Sequence, residues 1–153
     1  MSNETAQITD LTADSITVEQ FINAEPAIVF AYFTETEKIK AWYATDAELD
    51  PRPGGVCNID HDGQTPDTHY NSVGEFIEVT PHSRVIYTWG YSNPDMGDLP
   101  QNGNSTIQVD FIAQDGGTLV RLAQSGLNPN VRDGFGEGNS TILGMLAELL
   151  EKD

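Results

Sequence analysis

The chain alternates apolar and polar residues in several short runs and takes up a helical period only near its two ends. Ser15 to Phe21 (SITVEQF) sets Ile16 and Val18 against Thr17 and Glu19, the period-two pattern of a half-buried strand. Pro26 then suits a first helical turn, and Val29, Phe30 and Phe33 fall at helical spacing. Thr34 and Glu37 have capping-box spacing, which predicts a second short helix from Glu35 to Trp42 or Tyr43. From residue 46 strand and turn signals dominate. Pro53-Gly54-Gly55 is a tight turn before a strand with Val56, Cys57 and Ile59, and a polar loop runs from Asp62-Gly63 through Asp67. Asn71 to Thr80, Arg84 to Tyr91, Thr106 to Gln114 and Thr118 to Gln124 read as further strands. Asp115-Gly116-Gly117 is a strong hairpin signal between the last two.

The last segment changes period. Phe135, Asn139, Ile142, Leu146 and Leu149 fall on one helical face, widened by Leu143 and Leu150. The predicted order is a strand, two short helices, a run of about five or six antiparallel strands, and a long terminal helix. One face of such a sheet must be covered, and only that helix is long enough to do it. The fold class is therefore α+β. The first 13 residues are polar and aperiodic, so residues 1–14 read as a flexible N-terminal segment and residues 15–153 as one domain.

Charge narrows the functional classes. With 7 basic against 24 acidic residues the net charge is −17, which leaves no basic surface for nucleic-acid phosphates or anionic membranes. The acids are spread evenly, and lysine occurs only at Lys38, Lys40 and Lys152. This is the pattern expected in a salt-rich cytoplasm, where counterions screen self-repulsion. The expected result is a melting temperature that climbs from low to molar salt; a flat response would refute the adaptation. No apolar run is long enough to cross a bilayer. The acidic start (Met1-Ser2-Asn3-Glu4) is unlike a signal peptide, and a single cysteine, Cys57, suits a reducing compartment, so the expected location is the cytoplasm.

Several segments together resemble the START-like superfamily, also called SRPBCC, and within it the branch named for activators of the Hsp90 ATPase. They are Pro26-Ala27-Ile28-Val29-Phe30, Lys40-Ala41-Trp42-Tyr43, Arg52-Pro53-Gly54-Gly55, Gly74 to Pro81, Val85 to Trp89, Gly116 to Val120 and Gln124 to Leu127. The resemblance spans roughly residues 15 to 150. It implies a helix-grip fold, in which a curved antiparallel sheet wraps the terminal helix and leaves a cavity for small apolar or amphipathic ligands. It also implies two other classes: a co-chaperone or stress-response regulatory domain, and an enzyme of the polyketide cyclase or dehydratase kind. One departure stands out. The family usually has Gly-Trp at the start of the terminal helix core, where this chain has Gly138-Asn139; an amide there widens the expected cavity and adds a hydrogen-bonding group.

The residues expected to line the cavity are Trp42, Phe76, Tyr87, Trp89, Phe111, Phe135, Asn139 and Leu143, with Asn139 or Tyr87 orienting a polar end of the ligand. Large aromatics are also ordinary core residues, so packing is the competing role for each. The loop Ser92–Asn104 and the stretch Asn128 to Asn139, rich in glycine (Gly134, Gly136, Gly138), are expected to control access, although a frayed helix start would explain those glycines equally. No catalytic set stands out. Cys57 reads as a buried structural thiol, and Arg84 and Arg121 read first as partners of surface acids. Asp60, His61, Asp62, Asp67 and His69 have metal-ligating chemistry without a metal-binding spacing. Gly134-Phe135-Gly136-Glu137-Gly138 lacks the spacing and following strand of a dinucleotide loop. The expectation is a non-catalytic binding domain without metal or cofactor, monomeric or weakly dimeric. Its partner is a small hydrophobic or amphipathic molecule, and a chaperone is the second candidate partner.

Overall fold

The computed structural model describes residues 7–11, 14–62, 69–92 and 97–151. Among these residues nine strands form one curved, open, antiparallel sheet, with two short helices early in the chain and one long helix near its end. The strands are β1 (Gln7–Leu11), β2 (Ser15–Ile22), β3 (Asp46–Leu49), β4 (Cys57–Asp62), β5 (His69–Val73), β6 (Phe76–Thr80), β7 (Arg84–Tyr91), β8 (Ser105–Gln114) and β9 (Gly117–Ser125). The helices are α1 (Pro26–Thr34), α2 (Thr36–Ile39) and α3 (Pro129–Leu150). Strand order across the sheet is β1-β2-β9-β8-β7-β5-β4-β3, and β6 continues the line of β5 along β7. This is the expected helix-grip arrangement.

The period-two readings hold on the central strands. Ile16, Val18, Gln20 and Ile22 on β2 point inward, as do Val85, Tyr87, Trp89 and Tyr91 on β7. Ile107, Val109 and Phe111 on β8 and Val120, Leu122 and Gln124 on β9 do the same. The opposite face carries a row of alternating charge. Glu19 pairs with Arg121, Arg121 lies opposite Asp110, and Asp110 pairs with Arg84 across successive strands. Both ion pairs are 2.6 Å long, so the two strand arginines meet surface acids rather than the interior. The β8–β9 hairpin turns on Asp115 and Gly116, both at positive φ (52° and 81°), as a two-residue primed turn requires.

Three differences from the sequence reading have local causes. Gln7–Leu11, inside the segment set apart as flexible, pairs along β2, so the two short helices follow the second strand; β1 is held by backbone bonds, which its weak apolar pattern does not announce. Residues 1–6 and 12–13 lie outside the described residues. The Asn71 to Thr80 run is broken into β5 and β6 at Gly74. The Glu75 N–H there bonds the Thr88 hydroxyl (2.9 Å), and the Thr88 N–H returns to the Glu75 carbonyl (3.0 Å). The Thr34–Glu37 capping box does not form. Thr34 belongs to α1 and donates its hydroxyl to the Phe30 carbonyl one turn back (3.0 Å), and α2 gives way to a turn after Ile39.

Helix α3 lies across β2 and also touches β1. Its buried stripe is Gly136, Asn139, Leu143, Leu146 and Ala147, with Phe135, Ile142 and Leu149 half-buried beside it. The stripe is thus rotated towards Leu143 and Ala147 from the face predicted. The Asn128 side chain caps the helix by accepting from the Asn130 N–H (2.8 Å), so the glycine-rich stretch from Pro129 is helix. A Cβ added at Gly134 or Gly138 would meet nothing within 4 Å. Gly134→Ala and Gly138→Ala should therefore each stabilise the protein by about 1 kcal/mol in chemical denaturation, because alanine removes only backbone freedom there.

Candidate functional site

Aromatic rings form a nearly continuous path over the inner face of the sheet. At one end Phe111 of β8 meets Phe30 and Phe33 of α1 edge to face, and Phe33 meets Trp42. Trp42 touches Tyr43, which stacks on His61 of β4 at 5.7 Å between ring centres. His61 contacts Tyr70 of β5 and Tyr91 of β7, and Tyr91 meets Trp89 edge to face at 4.7 Å. Trp89 in turn receives Phe135 from α3 at 5.6 Å. Trp89 and Tyr91 form a buried floor, and Tyr43, His61, Tyr70 and Phe135 are the half-buried rim above it.

The polar atoms of this cluster set its character. Trp89 is 4% exposed, and its indole Nε1 is the only buried side-chain nitrogen or oxygen among the described residues without a hydrogen-bond partner. The Tyr43 hydroxyl lies beside that N–H without reaching hydrogen-bond geometry. Only part of the Tyr43 ring reaches the surface, and its hydroxyl is at the buried end. The second indole differs, since Trp42 donates its Nε1 to the Tyr32 carbonyl (3.0 Å). Burial pushes the Cys57 thiol up to about 12. Burial likewise raises the Tyr43, Tyr87 and Tyr91 hydroxyls well above the tyrosine range, with smaller contributions from neighbouring groups: Tyr91 and Cys57 at Tyr43, Cys57 and Tyr43 at Tyr87, and Tyr70 at Tyr91. The interior is rich in hydroxyl, thiol and N–H groups, and burial keeps these phenols and this thiol protonated at neutral pH.

The predicted lining residues do not converge on one point. Trp89 and Phe135 belong to the cluster, Trp42 joins it through Tyr43, and Tyr87 lies near enough to Tyr43 for their hydroxyls to influence each other. Phe76 is fully buried against Tyr87, and Phe111 sits at the far end among the α1 rings. Leu143 is fully buried on the inner stripe of α3. The Asn139 amide, expected to orient a ligand, is donated to Gln124 (3.1 Å). Gln124 passes the chain to Ser105 (3.1 Å), whose hydroxyl bonds the Trp89 carbonyl (2.5 Å). Asn139 thus ties helix to sheet.

Sequence reasoning missed Tyr43, His61, Tyr70 and Tyr91. Tyr91 continues the Tyr87–Trp89 alternation and was visible in principle. Tyr70 and His61 face each other only through the β4–β5 register, which no local pattern fixes. Of the loop expected to gate access, residues 93–96 are outside the described residues. The rest is tied down: Tyr91 accepts from the Asn102 N–H and donates to the Pro100 carbonyl, both at 2.9 Å. Asp67 and the loop around it are also outside the described residues. Among those described, no three His, Cys, Asp or Glu side chains are grouped to hold a metal, and no helix is long and apolar enough to cross a membrane.

Comparison with known proteins agrees with this geometry. The sequence model of the family described as "Activator of Hsp90 ATPase homolog 1-like protein" matches residues 23–151. An uncharacterized protein of Schizosaccharomyces pombe is 23% identical over 129 residues, covering 79% of this chain and 34% of that protein. The chain therefore spans about a third of that relative's length. A crystal structure from Chromobacterium violaceum superposes with a TM-score of 0.80 at 20% identity, covering 93% of this chain and all (100%) of that one. The solution structure of the Aha1 dimer from Colwellia psychrerythraea gives 0.69 at 16% identity, over 90% and 96% of the two chains. At these identities the structural likeness speaks for the fold.

Proposed function

The chain belongs to the family of Activator of Hsp90 ATPase homolog 1-like proteins, and on that premise we propose that it binds a small apolar or amphipathic molecule, without catalysis, at the ring cluster under the start of α3. The fold commonly binds hydrophobic ligands. The observation that carries the reading to this spot is the Trp89 N–H, a buried donor without a partner among the described residues, surrounded by rings. A buried donor left unmatched costs roughly 1–3 kcal/mol, and a ligand that accepts from it removes that cost on binding. The rings supply apolar area at about 25 cal/mol per Å² buried. Among the described residues no three His, Cys, Asp or Glu side chains are grouped to hold a metal, and burial keeps Cys57 a protonated thiol at neutral pH.

Native mass spectrometry of freshly purified protein tests this directly. The expected spectrum contains a population heavier than the chain by one small molecule, lost on mild activation. A clean apo mass, together with no saturable change in tryptophan emission across a panel of apolar and aromatic compounds, would remove the binding function.

A further inference from the structure

We infer that the ring cluster selects a neutral aromatic ligand bearing a carbonyl-type acceptor oxygen, received by the Trp89 Nε1–H with the Tyr43 hydroxyl beside it, and rejects carboxylates. This rests on the proposed binding function and specifies its ligand class.

An indole N–H only donates, so the group that satisfies it must accept. The Tyr43 hydroxyl beside it turns freely about its C–O bond and can add a second donor to the same oxygen. One acceptor atom with two lone pairs matches that pair of donors.

The cluster also lacks what an anion would need. The described cations are engaged elsewhere: Arg84 and Arg121 on the outer face, Arg52 with Asp50, Lys40 with Glu37, Arg132 with Asp133, and Lys38 over the Tyr32 ring. Tyr32 is not part of the cluster. Among the described side chains the imidazole of the cluster is His61, which has Asp60 as an acidic neighbour. A carboxylate brought into this setting would lose its hydration without gaining a free cation, and it would approach a protein of net charge −17. Ring atoms dominate the lining, and edge-to-face contacts at Trp89 suit a further aromatic partner.

Three naphthalenes of similar size separate the terms: methyl naphthyl ketone, ethylnaphthalene and naphthoate. The expected order of affinity on the intact protein is ketone, then hydrocarbon, then naphthoate, with about tenfold between the first two for one satisfied buried donor. Trp89→Phe keeps a ring and removes the donor, so whatever it does to overall affinity, the ketone-to-hydrocarbon ratio within the variant should fall to about one. A readout on the unaltered protein guards against a misfolded variant. Of the two indole N–H signals in a proton–nitrogen correlation spectrum, that of Trp89 should move downfield with the ketone and not with the hydrocarbon. The Trp42 signal, already bonded to Tyr32, should stay in place. Equal binding of all three, or naphthoate binding tightest, overturns the ligand class and leaves the binding function standing. If none of the three binds and no ligand is retained on purification, both fall.

Discussion

Gly74→Ala should destabilise the protein by about 3 kcal/mol or more, or prevent folding outright. A Cβ built at Gly74 would lie 1.8 Å from the Thr88 carbonyl oxygen and 2.6 Å from its carbon. Both are backbone atoms of a strand paired on both sides, so no rotamer change relieves the clash. The strand must instead lift away at the point where Gly74 also accepts from the Cys57 N–H (2.9 Å). That movement would loosen the start of β4 from the junction of β5 and β6. Denaturant titration beside Gly134→Ala gives an internal contrast, because the same chemical change has the opposite sign where the space is open. A wild-type midpoint for Gly74→Ala would show that the close approach is not a constraint on the fold.

Alkali should unfold the protein cooperatively between about pH 10 and 11. Cys57 is held up to about 12, and Tyr43, Tyr87 and Tyr91 are raised from 10.0, all by burial first. In the unfolded chain the thiol releases its proton near 9 and the phenols near 10. Below those values both states are neutral and the stability is fully present. Above them the unfolded state loses protons that the fold retains, so stability falls as pH rises towards the folded values. Each group contributes up to about 1.4 kcal/mol per pH unit, and the four together remove roughly 5 kcal/mol within one to two units, comparable to the whole stability of many domains. Circular dichroism and tyrosinate absorbance should change together. Ionisation of the three phenols in the ordinary tyrosine range, with the fold intact, would contradict the burial of their hydroxyls. In the same experiment at neutral pH, iodoacetamide should alkylate Cys57 only after denaturant is added.

Much of this architecture is written in local patterns. The RVIYTWGY run of β7 alternates cleanly enough to place Val85, Tyr87 and Trp89 inward, and the helical period of residues 135–150 marks α3. What stays hidden depends on long-range geometry. Gly74-Glu75 interrupts a strand without breaking its apolar rhythm, since the cause is a carbonyl from β7. β1 is held through backbone bonds that carry no side-chain signature. In the ring cluster, the inward placement of Trp89 and Phe135 was legible, but Tyr43 and Tyr70 gain meaning only when β4, β5 and β7 lie side by side. Asn139 shows the limit most clearly. Its type promised a ligand contact, and its amide serves Gln124 because the β8–β9 register brings Gln124 and Ser105 within reach of α3 and β7.

Among the described residues the sheet does not close into a barrel, and β1 and β3 each stand at an edge with one side of the backbone unpaired within it. β3 turns Asp46 and Glu48 outward at its border, and β1 includes Asp10. Two molecules meeting strand to strand along β3 would set carboxylate against carboxylate. Electrostatic repulsion thus does the protective work that closure does in a barrel, and it guards the chain against fibrillar stacking. Concentrated electrolyte weakens that guard even as it eases the self-repulsion of the folded molecule.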